Sequence, residues 1–129
     1  MKKFKILIVL CLALALGSSM VYAGTSFKTY STTVPKLGGS GYTATQTKTT
    51  GRVDGDLKST NTGGYKIRAR MEARNTTILG PWTEGVFNKG EYILRASYNH
   101  SAKDTMRVEF ENSLITVVSI QSEGKWRSN

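Results

Sequence analysis

Glu109 and Glu111, two residues apart in "RVEFEN", are the pair in this sequence best spaced for acid–base chemistry. Two carboxyls on one strand face would fall within the roughly 5 to 9.5 Å that glycosidases use. Arg107 stands beside them on the same face, however, and acids facing basic neighbours form surface pairs worth ~0 to 1 kcal/mol each. The remaining catalytic inventory is short. The only histidine is His100, in "YNHSAKD" at a predicted turn. A triad would need it with Asp104 and a serine, and no G-x-S-x-G nucleophile elbow occurs. A zinc site needs about three or four nitrogen or sulfur ligands, more than one histidine and one cysteine can supply. Asp54-Gly55-Asp56 could begin a calcium loop, but the later oxygen ligands and the closing glutamate are missing. The reading is therefore a non-enzymatic protein with no catalytic residue, no metal and no cofactor.

Binding chemistry is better represented. "GGYKIRARMEARN", 63–75, alternates Tyr65, Ile67, Ala69 and Met71 with Lys66, Arg68, Arg70 and Glu72, and Arg74 follows. Arg95 and Arg107 lie on other predicted strands, and Trp82 in "LGPWTEG" offers a ring that could stack on sugar or on arginine. Lys66, Arg68, Arg70, Arg74, Trp82, Arg95 and Arg107 are thus the candidate binding residues. If their strands are neighbours, the basic rows merge into a patch for an anionic polymer or membrane surface, and binding to it would weaken steeply with salt. In the rival reading, Glu72, Glu91, Glu109 and Glu111 stand across from the cations and disperse the patch into cross-strand pairs.

The elements that must carry these residues follow from the pattern. Lys2, Lys3 and Lys5, the apolar run "ILIVLCLALAL" and Val21-Tyr22-Ala23 read as a cleavable signal peptide over 1–23, which includes Cys11. The run is shorter than the roughly 20 residues a membrane span needs. The chain has 18 basic and 9 acidic residues, net +9; three lysines and no acid fall in 1–23, so 24–129 carries +6. That segment holds no cysteine, which suits export in bacteria without disulfides, and the expected location is outside a Gram-positive cell. No second long apolar segment follows, so no transmembrane span is expected in the mature chain.

Period-two alternation recurs in Tyr65–Met71, in Tyr92-Leu94-Ala96-Tyr98 and in Met106-Val108-Phe110, bounded by Gly and Asn turn signals such as Gly38-Gly39-Ser40-Gly41 and Asn88-Lys89-Gly90. "LITVVSIQ", 114–121, is apolar on both sides and reads as a central strand or one covered by a neighbour. The cadence predicts one all-β domain over 24–129, a small antiparallel sandwich or barrel-like fold of about seven or eight short strands. Trp126 continues an inward alternation and is placed in the core, and Tyr92 and Tyr98 are expected to pack on a strand. Residues 24–50 are rich in Ser and Thr and read as two edge strands, roughly 26–34 and 41–50, or as a flexible arm. Thr43, Thr45, Thr47 and Thr49 would share one face, a possible hydroxyl array for sugar or ice, although strand propensity alone explains them. Thr-rich edges with little protecting charge allow a dimer as well as a monomer.

The stretch "SYNHSAK", 97–103, resembles the small secreted bacteriocins of the lactococcin 972 kind, which are also short all-β exported proteins. Two functions are expected from these features. The first is binding of an anionic cell-envelope component or a protein partner; the second is a secreted bacteriocin or toxin acting on competing bacteria.

Overall fold

In the computed structural model residues 24–129 are described; the segment read as a signal peptide, Cys11 included, lies outside them. Nine strands form: β1 (Lys28–Val34), β2 (Ser40–Tyr42), β3 (Gln46–Thr47), β4 (Gly55–Asn61), β5 (Ile67–Ala73), β6 (Thr83–Val86), β7 (Gly90–Leu94), β8 (Thr105–Glu111) and β9 (Ile120–Arg127). They make two antiparallel sheets, one ordered β1-β9-β4-β7 and the other β2-β8-β5-β6 with β3 also on β8. The alternating side chains explain why the sheets stack. Ile67, Ala69, Met71 and Ala73 of β5 and Met106, Val108 and Phe110 of β8 turn inward, against Tyr30, Val34, Leu57, Leu94, Ile120 and Trp126 of the other sheet. Trp126 is fully buried, and the Tyr30 ring packs on Phe110 with centroids 5.0 Å apart. Burial pushes the Tyr30 phenol up to about 12, and the neighbouring Ser122 and Ser59 hydroxyls oppose the shift.

The chain changes sheets between β1 and β2, and the crossing is tight. A Cβ on Gly41 would lie 2.3 Å from the Thr33 carbonyl oxygen, so no larger residue fits there. The Ser/Thr-rich third is therefore part of the sandwich rather than an arm. Its first predicted strand exists as β1, on the edge of its sheet, but the second divides into β2 and β3, which raises the strand number to nine. The division has a local cause. Thr43 is buried, and its hydroxyl accepts from Val108 N–H at 3.0 Å and donates to Ala44 O at 2.9 Å. Thr43 thereby leaves the row with Thr45, Thr47 and Thr49, and no single hydroxyl array forms.

Two further expectations are corrected. β7 ends at Leu94, so Tyr98 lies beyond it and is 73% exposed, with the Arg52 guanidinium 4.1 Å from its ring centroid; Tyr92 stays packed against the core. Residues 114–119 are not a strand at all, since β9 begins at Ile120.

The end of the sandwich holding the chain's last residues is closed by polar groups. Lys48 is 1% exposed, and its ammonium donates to Val53 O at 2.5 Å, Ser128 O at 2.7 Å and Asn129 O at 3.4 Å. Burial lowers its pKa, and the charges of Asp54 and Asp104 oppose the shift. Nearby, Asp56 accepts from Arg127 Nε at 2.7 Å and from Asn129 Nδ2 at 3.0 Å. Partial burial would raise the Asp56 carboxyl, but those hydrogen bonds, with the charges of Arg127 and Lys58, hold it below its usual value. A folded pKa below the unfolded one gives stability that is present above about pH 3.9 and is lost as the pH falls through the folded value. Thermal melts between pH 2 and 6, roughly the window of this linkage, should therefore show a shallower acid-side loss for Asp56→Asn than for the parent. Parallel curves would contradict this assignment.

Candidate functional site

The arginine row and the acids of β8 meet in register on the outer face of the second sheet. Arg68 pairs across with Glu111, Arg70 with Glu109 and Glu72 with Arg107, because β5 and β8 are antiparallel neighbours. The pairing is realised by side chains. Arg68 Nη2 lies 2.5 Å from Glu111 Oε1, Arg70 Nη2 lies 2.6 Å from Glu109 Oε1, and Arg107 Nε donates to Glu72 Oε1. Hydrogen bonding to Glu111 raises the Arg68 pKa still further.

Aromatic rings cover both flanks of this ladder. Trp82 lies under Arg68 and Arg70, with guanidinium carbons 4.2 and 4.1 Å from its ring centroid, and Arg107 lies 3.7 Å from the Tyr42 centroid. The Tyr42 hydroxyl also donates to Glu109 Oε2 at 3.3 Å. Trp82 thus stacks on arginine of its own chain. The face is an internally compensated layer of ring, cation, anion, cation and ring, and its arginines are committed to intramolecular partners.

The other expected binding residues do not join it. Arg74 is exposed in the turn after β5, and Arg95 lies after β7, 3.9 Å from Asp54. Lys66, at the start of the row, and Arg74 are both exposed and have no carboxylate within salt-bridge distance. The structure therefore brings Arg68, Arg70, Arg107 and Trp82 together as a structural layer and leaves Arg74, Arg95 and Lys66 outside it.

His100 is structural in its geometry as well. It is 1% exposed; its Nδ1 accepts from Ser97 N–H at 3.0 Å and its Nε2 bonds Ile78 O at 3.0 Å, which ties two loops together. Glu109 and Glu111 are both held by arginine, and among the described residues no group of His, Cys, Asp or Glu is arranged to hold a metal ion.

The residues that stand out lie at the opposite end of the sandwich. Antiparallel pairing brings four connections together there: 35–39 between β1 and β2, 62–66 between β4 and β5, 87–89 between β6 and β7, and 112–119 between β8 and β9. They contain Lys36, Lys66 and Lys89 and no acid. They also expose apolar side chains: Ile115 is 87% exposed, Leu114 79%, Val117 71% and Leu37 54%, with Tyr65, Phe87 and Val118 also open.

This exposure comes from an ordered backbone. Leu37 N–H donates to Thr116 O at 2.8 Å, Gly38 N–H to Ser113 O at 3.0 Å and Asn112 N–H to Gly39 O at 3.0 Å. The buried Asn112 side chain donates to Pro35 O at 3.3 Å and Val118 O at 3.0 Å, and it accepts from Ser113 N–H at 2.9 Å. These bonds join two loops instead of extending a ladder, so the apolar run is held as a loop with its side chains outward. Leu37 sits at φ 57°, a left-handed conformation that a turn ordinarily gives to Gly or Asn. Beside it Gly38 has φ 76°, and a Cβ there would come within 2.6 Å of Leu114 Cδ2. A groove of about 460 Å³ borders this end, lined by Lys66, Arg68, Glu84, Glu111 and Leu114 among others.

Sequence reasoning missed Lys36, Lys89 and the apolar loop. The apolar run itself was visible, but periodicity cannot separate a buried strand from an exposed loop of the same composition. Comparison with known proteins adds nothing to this geometry: no family model matches the chain, and no curated protein and no solved structure matches it.

Proposed function

We propose that this is a non-enzymatic exported protein that binds an anionic component of the bacterial cell envelope, and that it does so through the four-loop end of the sandwich. The observation that carries this reading is the distribution of charge. The arginines of β5 are matched by acids of β8, whereas Lys36, Lys66 and Lys89 project from neighbouring loops that contain no acid. An anion approaching that end meets three cations and displaces no internal partner, while an anion approaching the arginine layer competes with Glu109 and Glu111 already in place. Exported location and bacterial origin enter from the signal-like segment 1–23 and the cysteine-free remainder.

The test is sedimentation of purified 24–129 with isolated bacterial envelopes across a salt series. Binding should fall by roughly 20- to 40-fold from 50 to 200 mM salt, as expected for about three ion contacts. Lys36→Glu, Lys66→Glu and Lys89→Glu together should abolish it while the melting temperature stays within a degree or two of the parent, roughly the range of surface substitutions. Salt-independent binding, or full binding by the triple variant, would contradict the proposal.

A further inference from the structure

Resting on that reading, we infer that the envelope component is a lipid bilayer with anionic headgroups, and that the 112–119 loop with Leu37 inserts into its interface. A carbohydrate or phosphate polymer would satisfy the three lysines but would leave Leu114, Ile115 and Val117 facing water. Contiguous apolar exposure ringed by polar residues marks an interaction surface. Apolar tips beside lysines fit a boundary where headgroups meet acyl chains, since lysine keeps its ammonium among the phosphates while its stem runs along apolar surface.

The backbone suits that depth. Amides of Lys36, Leu37, Gly38, Asn112, Ser113, Ile115 and Thr116 donate within the protein, so a good part of the backbone of the two loops is already satisfied where it meets a water-poor region. Leu37 strengthens the inference independently. An apolar side chain occupies a left-handed turn position and is 54% exposed, so neither the turn nor the core requires leucine there. A second copy of the chain is a poor occupant, because a two-fold contact through this end would set Lys36, Lys66 and Lys89 against the same three lysines.

Residues 24–129 contain the nine described strands with the core they enclose and no cysteine, so a single dye can be placed without side reactions. The experiment uses vesicles of phosphatidylcholine with or without phosphatidylglycerol. It compares the parent with Leu114→Ser, Ile115→Ser and Val117→Ser combined, and with Ile115→Cys carrying an environment-sensitive dye. The parent should partition onto phosphatidylglycerol vesicles and at least tenfold less onto phosphatidylcholine. The triple-serine variant should partition at least tenfold less than the parent while melting as it does, and the dye should shift to the blue and be quenched by lipid-borne nitroxide.

Equal partitioning of the triple-serine variant, or a dye that stays in water while the protein binds, would overturn insertion and leave the anionic-surface reading intact. Absence of salt-sensitive binding to both vesicles and envelopes would overturn both. Concentration-dependent dimers abolished by the serine substitutions would also overturn the inference, since the loop would then cover a second copy.

Discussion

Trp126→Ala should remove a large share of the domain's stability. The ring is fully buried among strands of both sheets, and β9 pairs with β1 on one side and β4 on the other, so the cavity would open beside the central strand pair. Removing a fully buried aromatic side chain costs about 3 to 5 kcal/mol, against a total stability of about 5 to 15 kcal/mol for a domain. Few ways of collapsing onto the gap are open, because the Trp126 carbonyl also accepts from Gln46 Nε2 at 2.8 Å, and Ser128 N–H donates to Gln46 Oε1 at 2.9 Å. Urea titration followed by circular dichroism would measure the loss. A midpoint close to the parent's would contradict the placement of Trp126 at the centre of the core.

The second large effect concerns the arginine layer. Arg68→Glu with Arg70→Glu should destabilise the fold by about 2 to 4 kcal/mol, the range expected when half-buried carboxylates lose their cations and gain like-charged neighbours. The new glutamates would face Glu111 and Glu109, with Glu84 and Glu72 close by, and Trp82 would lose the two guanidinium groups stacked on it. Adding Glu109→Arg and Glu111→Arg restores opposite charge across the strands and should recover part of the loss. A four-variant thermodynamic cycle isolates the coupling. Additive losses with no recovery would show that the pairs carry no net interaction. The same result bears on function: reversing Arg68 and Arg70 alters the fold, so loss of binding by such a variant would not identify a binding face.

The fold was legible wherever one face of a strand is buried and the other is wet. Alternation at Ile67-Ala69-Met71 and Met106-Val108-Phe110 placed β5 and β8, and the inward position of Trp126 followed from the same period. Strand order was not legible, and it decides what the basic row means. Antiparallel pairing of β5 with β8 puts each arginine of the row opposite an acid, the rival of the merged patch; no local pattern reports which strands are neighbours.

Long-range contacts hid two other features. Thr43 is drawn inward by a bond to Val108, 65 residues away, and this breaks the predicted threonine row. The 114–118 run has the composition of a buried strand, yet Asn112 and the 35–39 turn take up its backbone bonds. Of the seven expected binding residues, Lys66 is the one that also stands at the four-loop end. Lys36 and Lys89 carry no sequence pattern beyond a single charge at a turn.

The central claim is that contact is made through that end. Hydroxyl-radical footprinting of 24–129, alone and saturated with isolated envelopes, tests it most directly, because oxidation reports side-chain exposure position by position. Leu37, Tyr65, Leu114 and Ile115 should become protected, while Trp82 and Tyr42 on the arginine layer and Tyr98 at the far end keep their rates. Protection confined to Trp82 and Tyr42, or to Tyr98, with Leu114 and Ile115 oxidised as before, would contradict the account and move the binding surface elsewhere.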